Sequence, residues 1–251
     1  NISIWSPNQP GSYEGCLGIF MKILAILPTY NEAGNITKVL AQFNREFPSI
    51  DILHIDDNSP DGTGEIANEL KPVNYRQIRN LNKLGLGKAY IQGFQWAISK
   101  NYDLAIAIDS DGSHHLSDLR EMLLQIENSD LVIGSRWIEG GKIENWPWYR
   151  VFLSKLGTWY AKKALKLDLS DLTSGYRIYR VSALREINLE KLVTHGYAFQ
   201  IEMAEKFLDL GYKVNEVPIT FTERNTGKSK MTPAIAIEAI KWITTAAIKR
   251  R

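Results

Sequence analysis

Short apolar runs alternate along the chain with longer segments whose apolar residues recur at helical spacing. The apolar runs predict strands, and several are apolar throughout, as buried parallel strands are. The predicted strands cover residues 22–27, 51–55, 73–79, 104–108 and 131–133. The predicted helices between them cover residues 36–47, 62–70, 87–99 and 116–127. This alternation indicates βαβ units, and therefore an α/β fold with a doubly wound, mostly parallel sheet.

The pattern becomes less regular in the second half of the chain. Helical segments at residues 151–165 and 199–210 flank shorter extended pieces at residues 176–179 and 213–221. The sequence has no internal repeat, low-complexity tract or Gly/Ser linker. Because the length fits a single α/β unit, residues 21–231 are predicted to form one domain.

The N-terminal segment differs from this body. Residues 1–20 carry Asn, Ser, Pro and Gly without apolar periodicity, and they lack the basic start and apolar stretch of a secretory signal. We expect an upstream or disordered segment, with Met21 as a natural start. The only cysteine is Cys16, which excludes an intramolecular disulfide and fits a reducing compartment.

Residues 232–251 predict an amphipathic helix that starts with Thr232 and Pro233. One narrow face is polar and carries Glu238, Lys241, Thr245 and Lys249. The rest is apolar and carries Ile235, Ile240, Trp242, Ile243, Ala246 and Ala247. No apolar stretch reaches the about 20 residues that cross a bilayer. A broad apolar face with a basic end is typical of a helix on a membrane surface; the alternative is a helix packed on the protein's own core.

The net charge of +2 is unevenly distributed. Residues 224–251 carry seven basic side chains and one acidic side chain, a charge of +6, which leaves −4 for the remainder. This asymmetry suggests a basic tail that meets an anionic surface, although a solvated helix end would look the same. A single basic tail on an acidic body argues against nucleic-acid binding.

Candidate functional residues follow the predicted strands, where ligands of doubly wound sheets bind. After the first strand, Pro28 is expected to end the strand, Tyr30 offers a stacking face and Glu32 a carboxylate. Taken alone, this motif could be a plain strand-to-helix turn. After the second strand, the adjacent carboxylates of Asp56 and Asp57 can bond a base or ribose hydroxyls.

The strongest motif is Asp109-Ser110-Asp111 after the apolar fourth strand. Buried charges need partners, and Mg²⁺ characteristically bridges carboxylates and substrate phosphates. The alternative is a turn with solvated carboxylates. Arg136 follows the fifth strand, where a guanidinium suits a phosphate. These motifs predict a nucleotide and a metal in one crevice without naming the donor.

These motifs also carry a family resemblance, together with several later ones. The motifs are residues 28–32, 56–63, 84–89, 109–111, 134–136, 174–177, 196–202 and 224–230. They resemble the dolichyl-phosphate (polyprenyl-phosphate) mannosyltransferases of glycosyltransferase family 2, from Met21 to about Met231. The early motifs are shared by the whole family, whereas residues 196–202 and 224–230 resemble the lipid-phosphate branch.

The resemblance implies a Rossmann-like nucleotide-sugar fold of the GT-A type and transfer of mannose from GDP-mannose to a polyprenyl phosphate with inversion. It implies donor-binding roles for Pro28, Tyr30, Glu32, Asp57 and Lys230. It implies Mg²⁺ or Mn²⁺ on Asp109, Asp111 and Ser113, the last standing where relatives often have Gln. It implies acceptor-phosphate binding by Arg136, Arg150 and Ser154. The implied catalytic residues are Asp109, Asp111, Arg136 and Arg224.

The chemistry agrees with the absence of an obvious base in the sequence. A lipid phosphate oxygen is already anionic at neutral pH, so transfer to it requires no general base. The four histidines, His54, His114, His115 and His195, are therefore expected to be structural. We expect a peripheral enzyme at the cytoplasmic face of a membrane, with any protein partner unknown.

Three other functions compete with this one. The nearest is a polyprenyl-phosphate glucosyltransferase that uses UDP-glucose. A nucleotide-dependent oxidoreductase would need a Gly-x-Gly-x-x-Gly motif after the first strand, which is missing. A non-catalytic binding module disagrees with the intact Asp109, Asp111 and Arg136.

Overall fold

A computed structural model describes residues 21–70, 72–192, 194, 196–224 and 233–250. Within these ranges the strands are β1 (Ile23–Thr29), β2 (Asp51–Asp56), β3 (Tyr75–Arg79), β4 (Leu104–Ala107), β5 (Leu131–Ser135), β6 (Lys142–Glu144), β7 (Arg177–Arg180), β8 (Val214–Pro218) and β9 (Thr220–Thr222). The helices are α1 (Ala33–Glu46), α2 (Thr63–Leu70), α3 (Leu86–Ser99), α4 (Ser117–Gln125), α5 (Trp148–Leu165), α6 (Val181–Glu186), α7 (Gly196–Asp209) and α8 (Pro233–Lys249). Short 3-10 turns cover Ile126–Asn128 and Leu189–Lys191.

The central sheet confirms the predicted α/β fold with a mostly parallel sheet. In the described part of the chain its seven strands have the order β3-β2-β1-β4-β7-β5-β8. The strands pair in parallel except β7, which is antiparallel to both of its neighbours, β4 and β5. A second, two-stranded sheet pairs β6 with β9.

Each face of the central sheet is covered by its own apolar core. Successive side chains of a strand point to opposite faces, so Leu24 and Ile26 of β1 join one cluster while Ala25 and Leu27 join the other. The first cluster includes residues of α3, α5, α6, α7 and α8, and the second includes residues of α1 and α4. The inner strands β1, β4 and β5 are therefore buried along their whole length, which is why they are almost entirely apolar, whereas the edge strands β3 and β8 carry polar residues.

The prediction that Pro28 ends the first strand is wrong. β1 continues through Pro28 to Thr29, with Pro28 in register with Ile55 of β2. The pairing of β1 with β4 stops at Ile26, and the carbonyl of Pro28 instead accepts a hydrogen bond from Ser110 Oγ at 3.1 Å. A proline, which has no N–H, therefore interrupts no ladder bond at this position.

The inserted strand β7 determines what lies at the carboxyl ends of its neighbours. Arg177, its first residue, is in register with Ala107 of β4 and Ile133 of β5. Because β7 runs in the opposite direction, the loop that precedes it lies where β4 and β5 end. This loop, residues 166–176 between α5 and β7, therefore contacts the residues that follow both strands.

The end of β2 is held by a buried polar network. His54 contacts Thr29 Oγ1 through Nε2 and Tyr75 OH through Nδ1, both at 2.7 Å, and Thr29 Oγ1 donates to Asp56 Oδ1 at 3.1 Å. Burial lowers the pKa of His54 to about 4, although the charge of Asp56 opposes this shift. The ring is thus neutral at pH 7 and structural, as expected.

The C-terminal helix is present as predicted, and part of its apolar face packs on the domain. Ile243 of α8 is buried in the core, whereas Ile237, Ile240 and Ile248 are exposed. Tyr160 OH of α5 lies 2.7 Å from the side-chain oxygen of Thr244. Core packing and an exposed apolar side are therefore both found on one helix. No helix among the described residues is long and apolar enough to cross a membrane.

Candidate active site

The residues after β1 form one wall of the site. Asn31 adopts a left-handed backbone conformation (φ 59°), and α1 begins two residues later. Tyr30 presents its ring to Lys83, whose Nζ lies 3.7 Å from the ring centroid. Glu32 is buried, and its Oε2 accepts a hydrogen bond from Asn35 Nδ2 at 2.8 Å. An aromatic face and a fixed carboxylate at this position could hold a nucleoside.

The carboxylate of Asp57 supports the loop that leads into α3. Its two oxygens accept hydrogen bonds from the backbone N–H groups of Leu84 (2.8 Å) and Gly85 (2.7 Å) and from Asn80 Nδ2 (3.1 Å). A carboxylate has about four lone-pair sites, so at most one remains for a ligand. Asp57 thus positions this loop, and its predicted nucleoside contact remains a prediction. Gly85, at φ 95°, makes this turn possible.

The paired carboxylates lie where β4 ends. Asp109 is within 3.4 Å of Tyr90 OH through Oδ1 and 3.6 Å from His114 Nε2 through Oδ2. Asp111 is buried and accepts a hydrogen bond from the backbone N–H of Ser113 at 3.0 Å. This contact places Ser113 beside Asp111; its predicted role as a metal ligand remains a prediction.

The donor set fits a cation that shares its coordination with a substrate. Among the described residues, no group of three or more His, Cys, Asp or Glu side chains could hold a metal by itself. Mg²⁺ is usually bound by one or two carboxylates together with substrate phosphates rather than by a complete protein cage. Asp109 and Asp111 match that arrangement.

Arg224 contacts both Asp111 of the predicted metal site and Glu32 of the predicted donor site. Its Nη2 lies 3.2 Å from Asp111 Oδ2, and its Nη1 lies 4.0 Å from Glu32 Oε1. Predicted residues from three distant parts of the sequence therefore meet at one point. Lys230, the other predicted residue of this segment, lies outside the described residues.

Arg136 is held by a carboxylate that the sequence did not point to. Its Nε donates to Asp171 Oδ2 at 2.6 Å, its Nη2 to Asp171 Oδ1 at 2.7 Å, and its Nη2 also to Thr173 Oγ1 at 2.8 Å. The two charged side chains are 5% and 0% exposed. Burial by itself would raise the pKa of Asp171, but the charge and hydrogen bonds of Arg136 lower it below its ordinary value.

The loop that contains Asp171 is held by two further charged side chains. Glu216 of β8 accepts hydrogen bonds from the backbone N–H groups of Ser170 (2.7 Å) and Asp171 (2.8 Å). Arg177 donates to the carbonyls of Leu172 and Ser174, both at 2.9 Å. The loop is thereby placed against the metal motif.

A glycine makes that close approach possible. A Cβ atom at residue 175 would lie 3.1 Å from Asp109 Oδ2. Any side chain there would crowd the carboxylate, so Gly175 lets the loop backbone contact Asp109 directly.

Arg150 lies in the first turn of α5, near Arg136. Both guanidinium groups face the ring of Trp146, with Cζ atoms 5.1 Å (Arg150) and 5.6 Å (Arg136) from its centroid. Ser154 follows Arg150 by one helical turn and so lies on the same face of α5. The guanidinium of Arg150 forms an ion pair with Glu223, the residue before Arg224. The predicted acceptor residues are therefore brought together.

Sequence reasoning missed Asp171, Glu216 and Glu223. Asp171 pairs with Arg136, Glu223 pairs with Arg150, and Glu216 bonds to the backbone of the loop that contains Asp171. Asp171 and Glu216 do not follow the carboxyl end of a predicted strand, which was the signal used to select candidates. Glu223 follows the extended piece at residues 213–221 but was not singled out.

Comparison with known proteins decides the family. The sequence model of glycosyl transferase family 2 matches residues 24–188, which include the paired carboxylates and Arg136. The chain belongs to glycosyl transferase family 2. This glycosyltransferase is 42% identical over 226 residues to an undecaprenyl-phosphate mannosyltransferase of Micrococcus luteus, covering 89% of this chain and 93% of that one. It is 40% identical over 223 residues to a polyprenol monophosphomannose synthase of Mycolicibacterium smegmatis, covering 87% and 84%.

Solved structures establish that this glycosyltransferase has the GT-A fold. Glucosyl-3-phosphoglycerate synthase from Mycobacterium tuberculosis, in complex with Mn²⁺, UDP and glucosyl-3-phosphoglycerate, has a TM-score of 0.71 at 18% identity, covering 96% of this chain and 85% of that one. Mannosyl-3-phosphoglycerate synthase from Rubrobacter xylanophilus has a TM-score of 0.65 at 18% identity, covering 98% and 78%.

The buried Arg136–Asp171 pair is expected to be essential for stability. Asp171→Asn would leave a buried guanidinium without its counter-charge, which costs about 3 to 5 kcal/mol in comparable cases. Denaturant unfolding should therefore show a markedly lower midpoint for this variant. The control is Asp168→Asn, which removes the exposed pair with Lys162 and should leave the midpoint unchanged. Equal midpoints for the two variants would contradict the assigned role of Asp171.

Proposed function

We propose that this glycosyltransferase transfers mannose from GDP-mannose to the phosphate of a polyprenyl lipid, with inversion at the anomeric carbon. The observation that carries the proposal is the adjacency of two kinds of site. Paired carboxylates suited to a metal–diphosphate lie close to Arg150, a partly exposed guanidinium suited to a second phosphate. The two curated relatives described above are named for mannosyl transfer to polyprenyl phosphates, which supports the same acceptor and sugar here.

The donor would bind between the β1 wall and the paired carboxylates. Tyr30 and Glu32 would contact the nucleoside, and Asp109 and Asp111 would hold Mg²⁺ or Mn²⁺ at the diphosphate. Such a cation neutralises the charge that develops on a departing diphosphate. Arg224 lies beside both Glu32 and Asp111, so its guanidinium can move to the diphosphate and add to that stabilisation.

The acceptor phosphate would bind at Arg150 and Ser154. A phosphate oxygen is already an anionic nucleophile, so the protein's task is to orient it in line with the leaving diphosphate. Inversion then follows from a single displacement. His114, the imidazole beside Asp109, is unsuited to act as a base on an acceptor, because its side chain is 2% exposed. Its ring packs against Tyr176 and Phe221, with centroids 4.9 and 5.2 Å away.

The lipid chain of the acceptor has a matching surface on α5. The helix exposes a stripe of large apolar side chains at helical spacing, which we call the α5 stripe: Trp148, Tyr149, Phe152, Leu153, Leu156 and Trp159. Large contiguous apolar surfaces of soluble proteins mark interaction sites. Aromatic residues favour the membrane–water interface, where one end is apolar and the other wet. We therefore infer a peripheral enzyme whose α5 stripe rests on the membrane, with Arg150 at its edge.

The exposed isoleucines of α8 would add to this contact. α5 and α8 are neighbours, and Ile237, Ile240 and Ile248 are exposed on α8. Because Ile243 belongs to the core, deletion of α8 would also destabilise the domain. Point substitutions on the α5 stripe therefore test membrane contact more cleanly than truncation.

The proposed reaction is tested by transfer of radiolabelled sugar to a polyprenyl phosphate with Mg²⁺ present. GDP-mannose should give a labelled lipid product, and UDP-glucose should not. Product with UDP-glucose alone would replace the mannosyl assignment with the glucosyl one. No lipid product from either donor would contradict the acceptor assignment.

Asp111→Asn should lower the rate of transfer by at least a factor of about 10², since metal-assisted charge stabilisation contributes several kcal/mol to such reactions. Mn²⁺-dependent binding of GDP, followed by calorimetry, should weaken in parallel. The matched control is Asp103→Asn, at the opposite end of β4, where the exposed carboxylate accepts a hydrogen bond from the backbone N–H of Lys22. If both variants kept the rate and the Mn²⁺ dependence of the wild type, Asp111 would not be a metal ligand.

Membrane contact is tested by replacing Phe152 and Leu153 of the α5 stripe with serine. Burying a large apolar side chain contributes about 1.5 to 3 kcal/mol, so binding to phosphatidylglycerol-containing vesicles should weaken at least about tenfold. The control replaces Leu70 and Val73, two exposed apolar residues on either side of the α2–β3 turn, and should bind as the wild type does. Unchanged binding of the Phe152 and Leu153 variant would exclude the α5 stripe.

A further inference from the structure

The arginines of the active site are each paired with a carboxylate, but the pairs differ in kind. Arg136 and Asp171 form a multiply bonded, almost completely buried pair. Arg150 and Glu223 form a pair in which the side chains are 26% and 31% exposed. Breaking a buried pair is strongly unfavourable, whereas partly solvated pairs contribute little and can exchange. A phosphate that enters the site can therefore take Arg150 from its carboxylate far more easily than Arg136.

Glu223 is held in place by its backbone rather than by Arg150. Its N–H donates to the carbonyl of Glu144 at 3.1 Å, and the preceding residue, Thr222, donates to the carbonyl of Ser113 at 3.0 Å. Successive side chains of extended backbone point to opposite sides. Accordingly, Glu223 faces Arg150 while Arg224 faces Asp111 and Glu32.

This fixed carboxylate has two effects on an anion that approaches Arg150. Glu223 competes with the anion for the guanidinium. Once displaced, it remains close enough to repel the bound anion. A dianionic phosphate monoester carries one more negative charge than a carboxylate and attracts a guanidinium more strongly, so it can overcome both effects. A singly charged anion binds the guanidinium more weakly and cannot overcome the competition and repulsion of Glu223.

We propose that Glu223 is a specificity residue for the acceptor: it occupies Arg150 in the resting enzyme and gives it up only to a strongly anionic headgroup such as a phosphate monoester. This inference rests on the proposed function, because it takes Arg150 as the acceptor-phosphate residue. Glu223 acts through Arg150 and does not touch the reacting atoms. Its loss should therefore tighten anion binding and reduce selectivity, the opposite of what the loss of a ligand contact would do.

The test is calorimetric titration of the whole protein, without donor or metal, with a short-chain prenyl phosphate. Glu223→Gln should bind this probe about fivefold more tightly than the wild type, the scale expected for removal of one partly exposed charge pair. The gain should be larger still for the methyl ester of the same phosphate, a monoanion. Glu223→Asp keeps the charge and should restore most of the selectivity. The control is Glu144→Gln on the neighbouring strand, which should bind both probes as the wild type does.

A double variant shows whether the effect passes through Arg150. In an Arg150→Ala background, Glu223→Gln should change the affinity for either probe by less than twofold. Affinity that is unchanged or weaker in the single Glu223→Gln variant would overturn the proposal, as would a gain that persists without Arg150. If the wild type and every variant failed to bind the prenyl phosphate, the acceptor assignment itself would fall. Tight binding that is equal in the wild type and Glu223→Gln would remove only the role of Glu223.

Discussion

The buried ion pair between Arg136 and Asp171 is the interaction on which the active site depends. It joins the end of β5 to the loop before β7, the antiparallel strand inserted between β4 and β5. With Glu216 and Arg177 holding the same loop, Gly175 lies against the carboxylate of Asp109. A charge pair at the end of one strand thus fixes the surroundings of a carboxylate at the end of another. Because unpaired charges are costly to bury, this arrangement leaves few alternatives for the loop.

Burial and the number of bonds distinguish charge pairs that hold the structure together from charge pairs that can exchange with a substrate. Pairs with many bonds and almost no exposure, such as Arg136–Asp171, form the framework. Pairs with one contact and a partly exposed arginine, such as Arg150–Glu223 and Arg224–Asp111, are the ones that a charged substrate can exchange. If the site binds a diphosphate and a second phosphate, as proposed, exchangeable pairs would hold the arginines in place and balance their charge until the substrates bind.

The sequence was sufficient to predict the α/β fold, because strands buried on both faces must be apolar throughout. It also placed Glu32 and Asp111 in one crevice, since residues at the carboxyl ends of parallel strands converge. It could not predict the antiparallel insertion of β7 or the partner of Arg136, which is 35 residues away. Strand order and ion pairing over such separations are set by the whole fold and leave no local pattern. The exposure of α5 could not be predicted either, since the sequence pattern of an apolar helix is the same whether its side chains face a core or a surface.

The position of α5 links the chemistry to the proposed lipid. A polyprenyl phosphate has its nucleophile at the boundary between an apolar chain and water, and it leaves the membrane only at the cost of exposing that chain. An enzyme that acts on such a lipid must therefore bring its catalytic groups to the boundary. On α5, Arg150 points to Glu223 and the site while Phe152, Leu153 and Leu156 are exposed within two turns of it. Under the proposed function, one helix would present an apolar surface to the membrane and a cation to the headgroup, and membrane binding would place the phosphate beside the donor without extracting the chain.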